Sequence, residues 1–172
     1  MAKRSLGLAL GSNLDNRIAN LRAAVEGVLR FCEDKSLLTS SVYETEPVGC
    51  PEGSEPFYNA VFQVRCELEP QEVLEKCQAI ELELGRSADR DSNAPRTIDI
   101  DLLYYGDHQI SEGELVLPHP RLEERKFVLV PLNEIRPGLI LPGRKLSIEE
   151  ILDALETDES DPSPVFPRDT WL

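Results

Sequence analysis

Two hydrophobic periodicities alternate along this chain, and the order in which they alternate narrows the folds open to it. "SLGLAL" at residues 5–10 reads as a short buried strand closed by the turn "GSN". Leu14, Ile18, Leu21, Val25 and Val28 then recur at helical spacing. "SLLTSSVYE" (36–44) reads as a second strand. In "NAVFQVRCE" (59–67), Ala60, Phe62, Val64 and Cys66 alternate against Val61, Gln63 and Arg65, a strand able to pair antiparallel with the one before it. Pro70 opens a helix with Val73, Cys77, Ile80 and Leu84 on its apolar face and Gly85 just past its end. A further strand begins at residue 97. The order β-α-β-β-α-β predicts an α+β fold, a ferredoxin-like antiparallel sheet with helices packed on it, followed by extra C-terminal elements.

Those extra elements are a short strand at 108–110 beyond the turn at Gly106 and Asp107, and a helix around 125–134 that Pro131 keeps short or bent. A last helix starts at Ser147, with Glu150 three residues on as a capping box. Between the second and third strands runs a long loop bearing Pro47, Pro51 and Pro56. With 172 residues, 41% of them apolar, the chain can bury one proper core, and residues 1–155 are expected to form a single domain. Residues 156–172, "ETDESDPSPVFPRDTWL", are acidic, proline-rich and without periodicity, which predicts a mobile tail.

The fourth strand carries the chemistry. In "APRTIDIDLLYYG" (94–106), Ile98, Ile100 and Leu102 point one way while Thr97, Asp99, Asp101 and Leu103 point the other. Two carboxylates about 6–7 Å apart on one face repel unless a positive group lies between them. An isolated D-x-D is equally consistent with a strand whose polar face meets solvent. Here Arg96 sits just upstream, and "GRSADRDSNAPR" adds Arg86 and Arg90 in a loop suited to an anionic ligand. A carboxylate pair beside arginines points to a metal-bound polyphosphate.

Composition removes several classes. A formal net charge of −14 opposes a nucleic-acid backbone or an anionic membrane, and no basic run offsets it. Cys32, Cys50, Cys66 and Cys77 form no C-x-x-C pair, and with only His108 and His119 beside them zinc is not expected; they read as reduced, mostly buried thiols. The apolar run at the N-terminus is too short for a signal peptide, and no stretch reaches the ~20 apolar residues of a membrane span, so the expected location is the cytoplasm. There is no P-loop or G-x-G-x-x-G fingerprint, so a nucleotide would be held by side chains and metal. No extended apolar seam is evident, which leaves a monomer as the expectation.

Seven segments, in order, resemble the 6-hydroxymethyl-7,8-dihydropterin pyrophosphokinase family: "ALGSNL", "SSVYETEPVG", "FYNAV", "IELELGR", "APRTIDIDLL", "LPHPRL" and "ERKFVLVPLNEI". The resemblance runs from about residue 6 to 155. It implies transfer of a pyrophosphoryl group from ATP to 6-hydroxymethyl-7,8-dihydropterin. By the same resemblance Asp99 and Asp101 are ligands of two Mg2+ ions, Arg96 is an arginine that clamps the triphosphate, and Arg86 is a catalytic arginine of the loop that follows the second helix. Gln78, Glu81, Leu102, His119 and Arg125, with Arg96, are implied on the ATP side. Phe57 and Phe127 are implied as stacking surfaces for the pterin, Asn59 as the reader of its edge, and Thr45, Val48 and Gly49 as contributions from the long loop. Without the resemblance, Phe57 and Phe127 read as core residues and His119 as a structural histidine.

The chain departs from the family pattern in places. Ser92 and Asn93 stand where members often have arginine and tryptophan, Ala88 stands where some have arginine, and Glu114 stands where a basic residue can occur. A lost loop cation costs on the order of 1–3 kcal/mol of transition-state stabilisation, enough to slow an enzyme without abolishing it. Two alternatives stay open at this point. One is a two-metal nucleotidyl transferase or nuclease, which the negative charge disfavours; the other is a degenerate ATP- or pterin-binding module without turnover.

Overall fold

The computed structural model describes residues 2–32, 36–85 and 97–172. The elements run β1 (Arg4–Ser12), α1 (Arg17–Leu29), β2 (Leu38–Thr39), β3 (Val42–Thr45), β4 (Phe57–Cys66), α2 (Pro70–Glu83) and β5 (Asp99–Tyr105). After them come β6 (Ile110–Glu112), β7 (Leu115–Leu117), a 3-10 turn at Leu122–Glu124, α3 (Lys126–Ile135), α4 (Ile148–Ala154) and β8 (Ser163–Phe166). The main sheet has the order β5-β1-β4-β3-β8, with β2 also on β4, and every pairing is antiparallel. Its first four positions are the strand order of a split β-α-β, the ferredoxin-like arrangement predicted from the sequence.

Strand alternation gives the sheet two faces. Leu6, Leu8 and Leu10 of β1, Phe62 and Val64 of β4 and Ile100 of β5 face α1 and α2, where Leu21, Val25, Val73 and Cys77 close a first core. Gly27 lets the two helices meet, since a Cβ there would lie 2.9 Å from Ile80 Cδ1. Leu14, expected on the apolar face of α1, precedes the helix and is 41% exposed. The opposite face bears Ala9, Val61 and Leu103, covered by Val128, Leu129 and Leu132 of α3 and by Ile148 at the start of α4. Pro131 falls inside α3, and Ser147 and Glu150 form the expected capping box of α4.

Three expectations are corrected. The strand foreseen at 36–44 is interrupted between β2 and β3, because Val61 N–H donates to the Ser40 hydroxyl (2.9 Å) instead of to a backbone carbonyl. The short strand foreseen at 108–110 lies at Ile110–Glu112 and pairs with β7 in a separate two-stranded ribbon turned at Gly113 (φ 57°). The acidic, proline-rich segment after residue 155 is not a free tail. Residues Ser163–Phe166 extend the main sheet as β8, and Trp171 is fully buried in the first core with its indole N–H donating to Ser40 O at 2.8 Å.

Candidate active site

The second face of the sheet is only partly roofed by α3 and α4, and the uncovered part is where β5 carries its aspartates. In the strand register, Asp99 lies opposite Gly11, Gly11 opposite Asn59, and Asn59 opposite Tyr43. Asp101 lies opposite Ala9, and Thr45 opposite Phe57. At about 4.8 Å between strands, Asp99 and Asn59 stand roughly 10 Å apart, with a glycine between them. A Cβ on Gly11 would sit 3.3 Å from Asn59 Oδ1 and 3.7 Å from Phe57 Cδ1, so the missing side chain leaves a floor rather than a post.

Over this floor lies a pocket of about 400 Å³. Thr45, Val48, Phe57, Asn59, Asp99 and Asp101 line it from the strands and the 46–56 loop, and His119, Arg125 and Phe127 from the approach to α3. Nine residues named from the sequence thus share one cavity. Asn59 Nδ2 donates to Thr45 Oγ1 at 2.5 Å, which fixes the amide in the wall. Arg125 Nη1 is 3.6 Å from Asp101 Oδ2, and its guanidinium stands 5.6 Å from the Phe127 ring centroid. Aspartates are tolerated on this strand because they face a polar opening with a cation beside them.

His119 Nδ1 accepts from Arg121 N–H at 3.1 Å, which leaves its proton on Nε2. Burial, and after it the neighbouring Arg125 charge, holds the imidazole pKa down at about 4, although Asp99 opposes the shift.

Four residues of the expected set lie outside the pocket lining. Glu81, 5% exposed on α2, accepts the backbone N–H of Ile100 at 2.8 Å. It therefore fixes the edge strand between the two aspartates from behind the sheet. Leu102 is packed in the α1–α2 core, so its side chain is not presented to the pocket. Gln78 Nε2 donates to Glu114 Oε2 at 3.1 Å, which ties α2 to the β6–β7 turn. Gly49 adopts φ 67° beside Val48 without lining the cavity. Arg86 and Arg96, together with Ala88, Ser92 and Asn93, lie outside the described residues.

The pocket also contains residues that the sequence reading did not single out: Glu46 and Cys50 from the loop, Arg121, and Glu159 from the C-terminal segment. Glu159 Oε2 accepts from Lys126 N–H at 3.3 Å, at the first turn of α3. No local signal marks it, because a glutamate in an acidic run looks like any other. Cys32, Cys66 and Cys77 are buried free thiols, and Cys50 is a half-buried one.

A family profile described as 7,8-dihydro-6-hydroxymethylpterin-pyrophosphokinase (HPPK) matches residues 7–137. The chain is similar to the 2-amino-4-hydroxy-6-hydroxymethyldihydropteridine pyrophosphokinase of Porphyromonas gingivalis, 44% identical over 77% of this chain and 90% of the relative. It is 37% identical to the Haemophilus influenzae protein of the same description, over 83% of this chain and 88% of the relative. The folic acid synthesis protein fol1 of Pneumocystis carinii is 40% identical over 93% of this chain, which spans only 21% of that longer protein. Among solved structures, an HPPK-DHPS in complex with substrates superposes with a TM-score of 0.72 at 14% identity, covering 89% of this chain and 44% of the other. At that identity the likeness shows a common fold, and this chain spans less than half the length of the solved one.

Proposed function

Because the chain belongs to the 7,8-dihydro-6-hydroxymethylpterin-pyrophosphokinase family, we propose that it is an ATP-dependent pyrophosphokinase that transfers pyrophosphate to the hydroxymethyl group of 6-hydroxymethyl-7,8-dihydropterin in folate biosynthesis. The products are AMP and the pterin diphosphate. The observation that carries the reading is the register row Asp99–Gly11–Asn59, which sets an acidic pair and an amide-bearing, aromatic-flanked cleft at the two ends of one floor. A flat heterocycle needs the second and a nucleotide polyphosphate the first.

In this reading Phe57 and Phe127 stack on the pterin and Asn59, held by Thr45, reads its edge, with Val48 on the loop side and Gly49 assigned as the turn residue beside it. Asp99 and Asp101 suit a hard cation such as magnesium. Among the described residues no group of three or more His, Cys, Asp or Glu converges as a metal cage, which suits a cation that takes much of its coordination from phosphate and water. We assign two magnesium ions to this pair: Asp99 and Asp101 would hold them, and the ions would neutralise charge on the transferred phosphates. Arg125 and His119, which line the pocket, are assigned to the phosphate, and Glu81 keeps the aspartate-bearing strand in place. In the same assignment Arg86, Arg96 and Gln78 complete the ATP side, and Leu102, whose side chain lies in the α1–α2 core, is assigned there through its main chain only. A cytoplasmic monomer remains part of the proposal, and the net charge of −14 opposes a nucleic-acid or anionic-membrane partner; among the described residues no helix is long and apolar enough to cross a membrane.

Phosphorus NMR of the protein with magnesium, ATP and the hydroxymethyl pterin tests this directly. AMP and a pterin diphosphate should appear together; ATP left intact while both ligands are shown to bind would reduce the chain to a binding module. In the same assay Asp101→Ala should lower turnover by on the order of 10²–10³-fold or more and keep pterin affinity. Normal turnover by Asp101→Ala would remove the metal assignment.

A further inference from the structure

Arg17 breaks a local rule. It is the first residue of α1, where the helix dipole disfavours a cation, and no acidic residue occupies that first turn to offset it. Asn16 caps the helix by accepting from Ala19 N–H at 3.2 Å, so the arginine is not needed to start it. A residue that costs stability where it stands is expected to act elsewhere.

Its side chain reaches the hairpin that walls the pocket. Nη1 donates to Pro56 O at 2.7 Å and to Glu44 Oε2 at 3.2 Å, and the guanidinium lies 3.7 Å over the centroid of the Tyr58 ring. Glu44 directly precedes Thr45, and Pro56 directly precedes Phe57, the two pocket residues that face each other across β3 and β4. Between them the chain runs out as the 46–56 loop, which supplies Glu46, Val48 and Cys50 to the pocket and leaves Val48 64% exposed. One guanidinium thus spans both feet of that loop. Asn13 adds a second tie from the same end of the molecule, its Nδ2 donating to Glu55 O at 3.3 Å. The planar fork suits this work, because it can bond in its own plane and stack on an aromatic ring with its face.

We propose that Arg17 is a positioning residue for pterin binding: by clamping Glu44, Pro56 and Tyr58 it holds the 46–56 loop, and with it Thr45 and Phe57, at the distance the flat ring requires. Arg17 does not line the pocket, and its described contacts are to Glu44, Pro56 and Tyr58, so it acts on the ring's binding rather than at the phosphate end. The inference rests on the pterin reading of the pocket.

The test compares wild type, Arg17→Ala, Arg17→Lys and Glu44→Gln. Equilibrium binding of 6-hydroxymethylpterin by fluorescence and of an ATP analogue in magnesium should show pterin affinity about tenfold weaker in Arg17→Ala with nucleotide affinity within twofold. The pterin KM should rise while kcat at saturation holds. Arg17→Lys keeps the charge without the fork or the stacking face and should recover only part of the loss. Hydrogen exchange gives a readout that needs no activity: amides of residues 44–58 should exchange faster in Arg17→Ala, with those of β1 and β5 unaltered. Glu44→Gln, which leaves the Pro56 and Tyr58 contacts in place, should give a smaller change of the same sign and stands in if Arg17→Ala does not fold. Unchanged pterin affinity together with unchanged exchange at 44–58 would overturn the proposal, as would equal losses for pterin and nucleotide. Wild-type protein that binds no pterin would instead sink the functional reading, and the exchange comparison would still decide whether Arg17 holds the loop.

Discussion

Burial first, and neighbouring charge after it, set the pKa of His119. Burial and the Arg125 and Arg121 charges press the imidazole toward its neutral form, Asp99 pulls the other way, and the balance stands at about 4 against an ordinary 6.5. A depressed histidine pKa has a definite sign in stability. Above 6.5 both folded and unfolded chains hold the ring neutral, and the contribution is present in full. As pH falls from 6.5 toward 4, the unfolded chain takes up a proton that the folded one refuses, so the fold is weakened through that window. NMR titration of the His119 ring should place its midpoint near 4, with the neutral Nε2–H form persisting at pH 6. A midpoint at or above 6.5 would show that the ring is wetter than its surroundings suggest. In the proposed reading, a neutral His119 would act as a hydrogen-bond donor beside the Arg125 charge.

Between elements, close approaches decide what the sheet can tolerate. Gly7 of β1 lies opposite Tyr104 of β5, and a Cβ there would come within 2.2 Å of the Tyr104 ring. That ring is locked, since its hydroxyl donates to Gln63 Oε1 at 2.8 Å and the same oxygen accepts from Arg136 at the end of α3. Gly7→Ala should therefore destabilise by about 1–3 kcal/mol, read as a lower urea midpoint with an unchanged slope. An unchanged midpoint would mean that the ring swings aside freely. The sequence pointed to the strand but not to the tyrosine over its glycine, because register is a long-range property and alternation is a local one. α1, α2, α3 and α4 were legible as helices because their signals are local: apolar spacing in α1 and α2, Pro70 at the start of α2, and the Ser147–Glu150 capping box of α4. The break between β2 and β3 was not. Ser40 donates its backbone N–H to Val61 O at 2.9 Å yet returns a hydroxyl instead of its carbonyl, and Glu134 of α3 takes Ser41 N–H, Ser41 Oγ and Tyr43 OH at 2.7–2.9 Å. Burial, and then this carboxylate, pushes the Tyr43 phenol pKa up. At the site, Asp99 and Asp101 stood out by breaking a strand pattern, and the pterin set by resemblance; Arg121 and Glu159 broke no pattern.

On the scale of the whole molecule, the C-terminal segment closes the structure that the first strands begin. The Ser40 carbonyl released from the ladder by its own hydroxyl accepts the Trp171 indole N–H at 2.8 Å, across 131 positions of sequence. Arg22 of α1 donates to Trp171 O, and β8 covers the outer side of β3. Upstream of β8, Lys126 Nζ pairs with Asp161 Oδ1 at 2.5 Å, which draws the acidic segment across the start of α3 and sets Glu159 in the pocket wall. Acidic, proline-rich composition reads as disorder only when nothing elsewhere in the chain offers a surface, and that surface lies in residues the tail's own sequence does not contain. Trp171→Ala should cost about 3–5 kcal/mol, the range for emptying a large buried aromatic site, and it also strands the Ser40 carbonyl. Chemical denaturation followed by far-UV circular dichroism measures it. If the midpoint falls by that amount in one cooperative transition, residues 163–172 belong to the same folding unit as the pocket. If the midpoint stays put, the segment is an accessory strap, and the molecule's stability resides in the sheet and helices that end at residue 155.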